Sequence, residues 1–427
     1  MTNYSLNAFD QYQQLENRLT RALGVTLERS PAFRQAFIRK FAKGARLGKN
    51  SSIKLQLAEG ARDEDEEKSG IPDLALIDDQ DRAVIVESKV NASLVTSQLE
   101  AHERRTVRNG LDLVAGLAIT GRDRDGSRIA SWKQRRGNSK PSWHHVTWRS
   151  VCELARAQPP ENAWAREFAD YMEIFAVEMD EAGMASDVRV TGFSGIPFSS
   201  YEDYDVKFAK RRLRALIDDL IEDKKFLSEL GFKKGQDPVT RKRIKNEPRV
   251  WDFLAPPDSS SHTENHHFTV YIHEDKAGAA LTIPNGTFRK LRNFVKGSDK
   301  GEFEELMRLI LAKLEKSGVV RNGGTPFILM LQRRYKNMQT VYARDGQIEF
   351  DIRTMTGQER RDAEPGISRQ PAWMELCEEL IVNKRGNTQF QIGVHFPYDR
   401  CKKINTPEFA SLIKKSFVGI MPLVDKL

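Results

Sequence analysis

The chain has 427 residues, of which 39% are hydrophobic and 30% charged, and it carries a formal net charge of +8. This length exceeds one ordinary core and predicts two domains, while the composition excludes a disordered chain and no apolar run reaches the length of a membrane span. The cysteines at 152, 377 and 401 form no Cys-x-x-Cys pair, which argues against a disulfide framework and against a structural zinc site. We therefore expect a cytoplasmic protein.

The first segment of the chain predicts a helix over about residues 7–27, a second helix over 32–42 and a strand over 53–58. The first of these helices is indicated by apolar residues at helical spacing, namely Tyr12, Leu15, Leu19, Leu23 and Leu27. Glu16 falls on the buried side of this apolar stripe.

Two short motifs follow, joined by a predicted hairpin. Ile71-Pro72-Asp73 precedes an apolar run at 74–77, polar residues at 78–81 predict a turn, and a β-branched run at 83–86 leads into Glu87-Ser88-Lys89. Because successive strand residues alternate faces, Glu87 and Lys89 share a face next to Asp73. Two buried carboxylates repel each other, and a divalent cation that prefers oxygen ligands relieves that repulsion. The pattern predicts a metal site with a lysine beside it; an ordinary salt bridge at a solvated strand end is the alternative.

These motifs resemble the signature of the PD-(D/E)xK nuclease superfamily, which matches at Pro72-Asp73 and Glu87-Ser88-Lys89. The order of strand, turn, strand and helix is also the one that the family requires. The resemblance implies a restriction-endonuclease-like fold and metal-dependent hydrolysis of phosphodiester bonds. It further implies that Asp73 and Glu87 bind Mg²⁺ or Mn²⁺ and that Lys89 is the catalytic lysine.

Two further residues are candidates for supporting roles by the same resemblance. Some branches of the superfamily carry Gln-x-x-x-Tyr on the next helix, expected here over 92–108, and this chain has Gln98 with His102 at the tyrosine position. Gln98 and His102 lie on one helix face, from which they are expected to reach the metal site or a phosphate. The departure from tyrosine leaves a role for His102 open, and a plain surface helix is the alternative. Glu16 is a candidate third acid; a glutamate at the edge of the apolar stripe is the alternative.

The rest of the N-terminal region completes an α/β domain, a mixed sheet flanked by helices, over residues 1–185. After a strand at 111–120, a basic loop with Gly121, Gly126 and Gly137 is expected. A strand and a helix follow between Trp143 and Ala157, and a further helix covers 162–182.

The remaining residues, 186–427, predict an α+β domain. Gly192 to Pro197 indicates a linker, and residues 202–230 predict one long helix. Further strands are expected at 249–254, 268–272, 279–283, 325–332, 347–353 and 388–396, and further helices at 288–295, 302–316, 371–383 and 407–418.

Basic residues cluster at 122–136, at Lys207 to Arg214 and at Arg241 to Lys245, a distribution that suits a polyanion, although a solvated face is the simpler alternative. With the motif, they favour a nuclease, for which DNA is preferred to RNA as the expected substrate. The resemblance, rather than any residue, implies a role in bacterial defence against foreign DNA. The partners expected are nucleic acid and a second copy of the chain or a separate defence subunit, and no membrane. A non-catalytic binding module that retains the fold and an RNA-directed nuclease are the alternatives. The second domain is expected to supply nucleic-acid or partner binding.

Overall fold

The computed structural model describes residues 15–48, 50–55, 71–137, 141–184, 187–233, 250–255, 265–297, 301–335, 342–356, 367 and 369–427, without the side chains of Leu15, Glu16, Tyr335 and Tyr342. The basic cluster at Arg241 to Lys245 lies outside these residues. Contacts divide the chain into two units, Met1–Gly192 and Phe193–Leu427. The sequence puts this boundary at residue 185. The first unit extends further because Arg189 N donates to the carbonyl of Gly121 (2.7 Å) and Val190 is buried in its core.

The first unit alternates helices and strands. In chain order its elements are α1 (Leu15–Arg29), α2 (Pro31–Phe41), β1 (Ser52–Leu55), β2 (Leu74–Ile77), β3 (Arg82–Lys89), α3 (Thr96–Arg108), β4 (Asp112–Thr120), α4 (Arg124–Arg136), β5 (Ser142–Thr147), α5 (Trp148–Arg156) and α6 (Ala163–Glu181).

Five described strands of this unit form one mixed sheet in the order β1-β2-β3-β4-β5. The pairs β1–β2 and β2–β3 are antiparallel, and β3–β4 and β4–β5 are parallel. Parallel neighbours need a crossover connection, which α3 and α4 provide. The prediction of an α/β domain with a mixed sheet flanked by helices is therefore confirmed.

The two faces of this sheet have separate cores because strand side chains alternate. Val84 and Val86 of β3 point to one face, where they pack in a core with residues of α1, α2, α5 and α6. Ala83 and Ile85 point to the other face, where Leu99 of α3 and residues of α4 cover them. Glu87 and Lys89 continue the series of Ala83 and Ile85, so they point to the α3 side.

The turn between β2 and β3 is held by Asp78. Its Oδ1 accepts from the backbone N–H groups of Gln80 and Arg82, both at 3.0 Å, and its Oδ2 accepts from the N–H of Gly48. Burial opposes ionisation of this carboxyl group, but these hydrogen bonds and the Arg82 guanidinium outweigh it and lower the pKa of Asp78. The predicted turn chemistry at 78–81 thus fixes the register that aligns Asp73 with the end of β3.

Helix α4 is an element that the sequence did not predict, because the glycines at 121, 126 and 137 suggested a loop. The buried side chains of Ile129 and Trp132 anchor the helix on the sheet. Gly126 lies in its first turn, where a Cβ atom would come within 2.7 Å of the His145 ring, and Gly137 ends the helix at a φ of 66°. These two glycines mark a close approach and a helix end rather than a loop.

The second unit carries helices around a second sheet. Its elements are a 3-10 turn (Tyr201–Asp203), α7 (Val206–Glu222), α8 (Lys224–Glu229), β6 (Val250–Leu254), β7 (His267–Ile272), β8 (Lys276–Ile283), α9 (Phe288–Gly297), α10 (Glu302–Lys316), a 3-10 turn (Val320–Asn322), β9 (Thr325–Tyr335), β10 (Tyr342–Asp351), α11 (Ile352–Thr356), α12 (Ala372–Val382), β11 (Asn387–Pro397) and α13 (Phe409–Val424).

The described strands of this unit pair antiparallel throughout, in the order β10-β9-β11-β8-β7-β6. Alternate residues such as Val270, Ala279 and Ile392 join the helices, α7, α10 and α13 among them, in one large core on a single face of the sheet. Helices on one face of an antiparallel sheet are the α+β arrangement that the sequence predicts.

Two predictions for the start of this unit are wrong. The long helix expected over 202–230 is interrupted because Asp223 leaves helical geometry and caps the next helix, accepting from Phe226 N at 3.0 Å. The segment from Gly192 to Pro197 is not a free linker, since Phe193 and Ile196 are buried in the core and Ile196 N donates to the carbonyl of Ile404. Among the described helices, none has the length and apolar character needed to cross a bilayer.

Candidate active site

Asp73 and the end of β3 are joined by a short hydrogen bond. The backbone N–H of Ser88, between Glu87 and Lys89, donates to Asp73 Oδ2 at 2.7 Å. Asp73 directly precedes β2, and Leu74 pairs with Val86 in the hairpin. The two motifs separated in the sequence are thus brought together.

The Glu87 carboxylate is the most enclosed group of this cluster, with 2% of its side chain exposed. Its Oε1 lies 2.6 Å from Lys89 Nζ, and its Oε2 lies 2.7 Å from His102 Nε2. The His102 side chain is 3% exposed and that of Lys89 is 15% exposed, so Lys89 is nearer to solvent than Glu87 or His102. Both oxygens of a buried carboxylate are therefore paired, as a buried charge requires.

The hydrogen bond to Glu87 determines which nitrogen of the His102 ring donates to the site. An ionised carboxylate only accepts hydrogen bonds, so Nε2 carries the proton and donates. On the other side of the ring, Nδ1 is buried and has no hydrogen-bond partner within the described residues. The ring therefore interacts with the site through Nε2 alone.

Burial and neighbouring charges act differently on the two acids. Burial, followed by the negative charge of Glu87, raises the pKa of Asp73 to about 6, against the opposing effects of the Ser88 N–H, Lys89 and His102. Burial also raises the pKa of Glu87, but the hydrogen bonds and charges of His102 and Lys89 outweigh it and hold that pKa below its usual value. At neutral pH the site therefore holds two carboxylates, of which Asp73 is ionised at an electrostatic cost.

Helix α1 supports the site from the opposite face of β3. The Thr20 hydroxyl donates to Ser88 Oγ at 2.8 Å, and both side chains are buried. Glu16 precedes Thr20 by about one turn of α1, but its side chain lies outside the described residues, so its expected place as a third acid stays a prediction.

Gln98 and His102 occupy different environments on α3. His102 is buried against Glu87, whereas Gln98, in the first turn, is exposed, and its side chain makes no hydrogen bond within the described part of the chain. Gln98 therefore faces solvent, where its expected contact with a metal or a phosphate stays a prediction. His102 is the α3 residue that contacts the Glu87 carboxylate.

No pattern in the sequence indicated a polar group at the ends of the adjoining parallel strands. Thr120 ends β4 in register with Lys89, and its hydroxyl donates to the carbonyl of Arg122 at 3.0 Å. The only hydroxyl proton is thereby used, so His145 Nε2 donates to Thr120 Oγ1, at 2.8 Å. Burial is the main cause that lowers the pKa of His145. Only the parallel pairing of β3, β4 and β5 brings this histidine to the same end of the strands as Lys89.

The donor set at Asp73 and Glu87 suits a hard divalent cation. Each oxygen that accepts a hydrogen bond keeps a further lone pair, and a bound cation would offset the burial and the negative charge of Glu87 that raise the pKa of Asp73. Within the described residues, no group of three or more His, Cys, Asp or Glu side chains is placed to hold a metal. The two acids thus fit the cation as a pair, and Glu16 stays a candidate third acid.

A second buried polar group lies on the sheet of the second unit. The Tyr271 hydroxyl donates to His395 Nδ1, and His395 Nε2 lies 3.1 Å from Glu349 Oε1. Phe327 stacks on the His395 ring with centroids 3.6 Å apart. Tyr271 and His395 are both buried, whereas Glu349 is exposed, so this chain of hydrogen bonds runs from the sheet face to the surface.

Comparison with protein-family models and with curated proteins finds no match to this chain. The site is therefore interpreted from its own chemistry and from the motif resemblance.

Proposed function

We propose that the first unit is a metal-dependent nuclease of restriction-endonuclease-like fold that hydrolyses phosphodiester bonds, with DNA as its substrate. The observation that carries the proposal is the joining of Asp73, Glu87 and Lys89 at one strand end. The Ser88 N–H holds Asp73 there at 2.7 Å, and Lys89 lies 2.6 Å from Glu87. A buried salt bridge alone needs one acid and one base. Asp73 is a second acid whose ionisation is electrostatically unfavourable, and such an acid is expected where a cation binds.

In this proposal Asp73 and Glu87 hold Mg²⁺ or Mn²⁺. The bound ion supplies Lewis-acid stabilisation of the charge that develops on the phosphate. His102 keeps the Glu87 carboxylate in a fixed orientation through its Nε2 proton, as groups behind metal ligands commonly do. Ser88 N does the same for Asp73.

Lys89 is the residue proposed to act on the reacting groups. Its ammonium lies beside Glu87 and is more exposed than either Glu87 or His102. From this position it orients the attacking water and stabilises negative charge on the phosphate oxygens. Gln98 and Glu16 are proposed as supporting residues.

A substrate panel tests the proposal. Supercoiled, linear and single-stranded DNA and single-stranded RNA are incubated with the purified chain, with Mg²⁺ or with EDTA. We expect DNA cleavage only with Mg²⁺, and a loss of at least about 100-fold in rate for Asp73→Asn, Glu87→Gln and Lys89→Met. Asp79→Asn is the matched control, since Asp79 is an exposed acid in the turn of the same hairpin, and it should cleave like the wild type.

Three outcomes contradict this proposal. Wild-type cleavage by Asp73→Asn excludes the assigned site, and cleavage of RNA alone corrects the substrate. A folded wild-type protein that binds DNA without cleaving it would be a binding module.

We also propose, from the motif resemblance, a role in defence against foreign DNA. Expression of the wild type, but not of Asp73→Asn, should then reduce phage plating.

A further inference from the structure

The helices α3 and α4 cover the same side of the sheet as the candidate site. Leu99 of α3 and Ile129 and Trp132 of α4 pack together in the core on that side. Their outward surface carries exposed arginines, which we call the arginine face: Arg104 and Arg108 of α3, and Arg128 and Arg135 of α4.

The acidic residues of these helices are turned inward. Glu103 accepts from both terminal nitrogens of Arg136, at 2.6 and 2.8 Å, and from Trp143 Nε1 at 2.7 Å. Glu100 accepts from Trp132 Nε1 at 3.0 Å, and Asp125 is buried. Acids and bases are therefore segregated, and the exposed side of the two helices is positive.

The arginine face lies on the outer side of the helices that cover the site. His102 points inward to Glu87, while Arg104 and Arg108 follow it two and six residues later and point to the outer side of α3. Arg128 Nη1 donates to the carbonyl of Leu94 at 2.6 Å, which joins α4 to the segment after Lys89. Positive charge therefore lies on the outer side of the helices that cover the proposed reaction site, and Arg128 brings it to the segment that follows Lys89.

The basic stretch from Lys207 to Arg214 suits this role less well. On α7, the side chains of Arg211 and Arg212 are buried, at 5% and 8% exposure, and Arg212 donates to the Ser194 hydroxyl. These arginines hold the start of the second unit together. The prediction of an exposed basic surface on this helix is therefore wrong for these residues.

We propose that the arginine face binds the sugar–phosphate backbone of nucleic acid and leads a strand to Lys89. This inference rests on the proposed function, because the strand is led to Lys89, the residue proposed to act on the phosphate. Binding is independent of sequence, since the arginines meet phosphates that every sequence carries, and it weakens with salt as counterions are released.

Binding is measured in EDTA, which prevents cleavage, by fluorescence anisotropy of labelled duplex and single-stranded DNA of random sequence over a range of KCl concentrations. The test variant is Arg104→Gln/Arg108→Gln/Arg135→Gln, which leaves Arg128 on Leu94. The control, Arg39→Gln/Lys40→Gln/Arg46→Gln, removes the same charge from exposed positions on α2 and the loop after it. Helix α2 packs on the opposite face of the sheet.

We expect the test variant to bind duplex DNA about tenfold to 100-fold more weakly, with a slope of log affinity against log salt that is flatter by about 2–3, while the control keeps the wild-type slope. The charge-retaining variant Arg104→Lys/Arg108→Lys/Arg135→Lys should restore the slope. Unchanged affinity and slope in the test variant, or an equal loss in the control, would overturn the proposal. The two proposals fail separately. A wild type that binds DNA through these arginines but never cleaves it would contradict the proposed nuclease function and leave the binding role of the arginine face standing.

Discussion

At the scale of residues, Glu87 is a buried acid and Asp73 a half-buried one, but only Asp73 is electrostatically unfavourable when ionised. Glu87 has His102 and Lys89 as donors, whereas Asp73 has the Ser88 N–H and faces the charge of Glu87. A site that binds a cation gains from this asymmetry, because the ion relieves a cost already present in the folded protein.

The cost predicts a stabilising substitution. The pKa of Asp73 rises from 3.8 to about 6, so its favourable contribution to stability is complete below pH 3.8 and is lost as pH rises to 6. At pH 8 without metal, Asp73→Asn should raise the free energy of unfolding by about 1–3 kcal/mol. At pH 4 it should change little. Urea unfolding at both pH values measures this, and a destabilised variant at pH 8 would refute the electrostatic argument.

His102 and Glu87 are expected to be energetically coupled because each is buried against the other. A double-mutant cycle of His102→Leu and Glu87→Gln at pH 7.5 should give a coupling energy of about 1–3 kcal/mol in urea unfolding. Leu99→Ala, a buried change on the same helix without contact to Glu87, should be additive with Glu87→Gln to within about 0.5 kcal/mol. Additivity of His102→Leu would exclude its role in holding the carboxylate.

At the scale of elements, local signals were sufficient for the hairpin and insufficient for α4. Two apolar runs around a polar turn predicted β2 and β3 almost to the residue, and alternation predicted that Glu87 and Lys89 share a face. In α4 the glycines suggested a loop. The reason for one of them, the close approach of Gly126 to the His145 ring, is visible only in the folded structure. The contact of His102 with Glu87 and that of His145 with Thr120 depend on pairing between distant segments, which periodicity does not encode.

Glu103 is expected to hold α4 in place on the sheet. Glu103→Ala would leave Trp143 Nε1 buried without an acceptor and release Arg136, so we expect a loss of about 2–3 kcal/mol in the free energy of unfolding. Glu161→Ala, at an exposed position after α5, should change it by less than about 0.5 kcal/mol. Equal effects of the two substitutions would show that α4 is held by its apolar side chains alone.

At the scale of the whole molecule, the prediction of two parts rests on length and is matched by two units with separate cores. The precise division was not predictable, because glycine and proline at 192–197 indicate a linker whatever they pack against. Gly195 has a φ of 102°, and a Cβ there would lie 2.2 Å from the carbonyl carbon of Asn405.

Gly195→Ala is therefore expected to destabilise the second unit by about 1–3 kcal/mol. Hydrogen exchange should show lost protection in β8 and β11, with β3 and α3 unchanged. Gly297→Ala is the control, since beyond its chain neighbours and its own helix no atom of the described residues lies within 4 Å of a Cβ built there. Equal loss of protection in β3 would contradict the independence of the two cores.

A magnesium titration that follows cleavage of supercoiled DNA and thermal stability in the same samples, at pH 8, tests the nuclease assignment most directly. For the wild type and for Asp79→Asn, cleavage and the rise in Tm should share one magnesium midpoint, because ligand binding stabilises the folded state. Asp73→Asn should show neither. Cleavage that is independent of magnesium, or that persists in Asp73→Asn, would contradict the account.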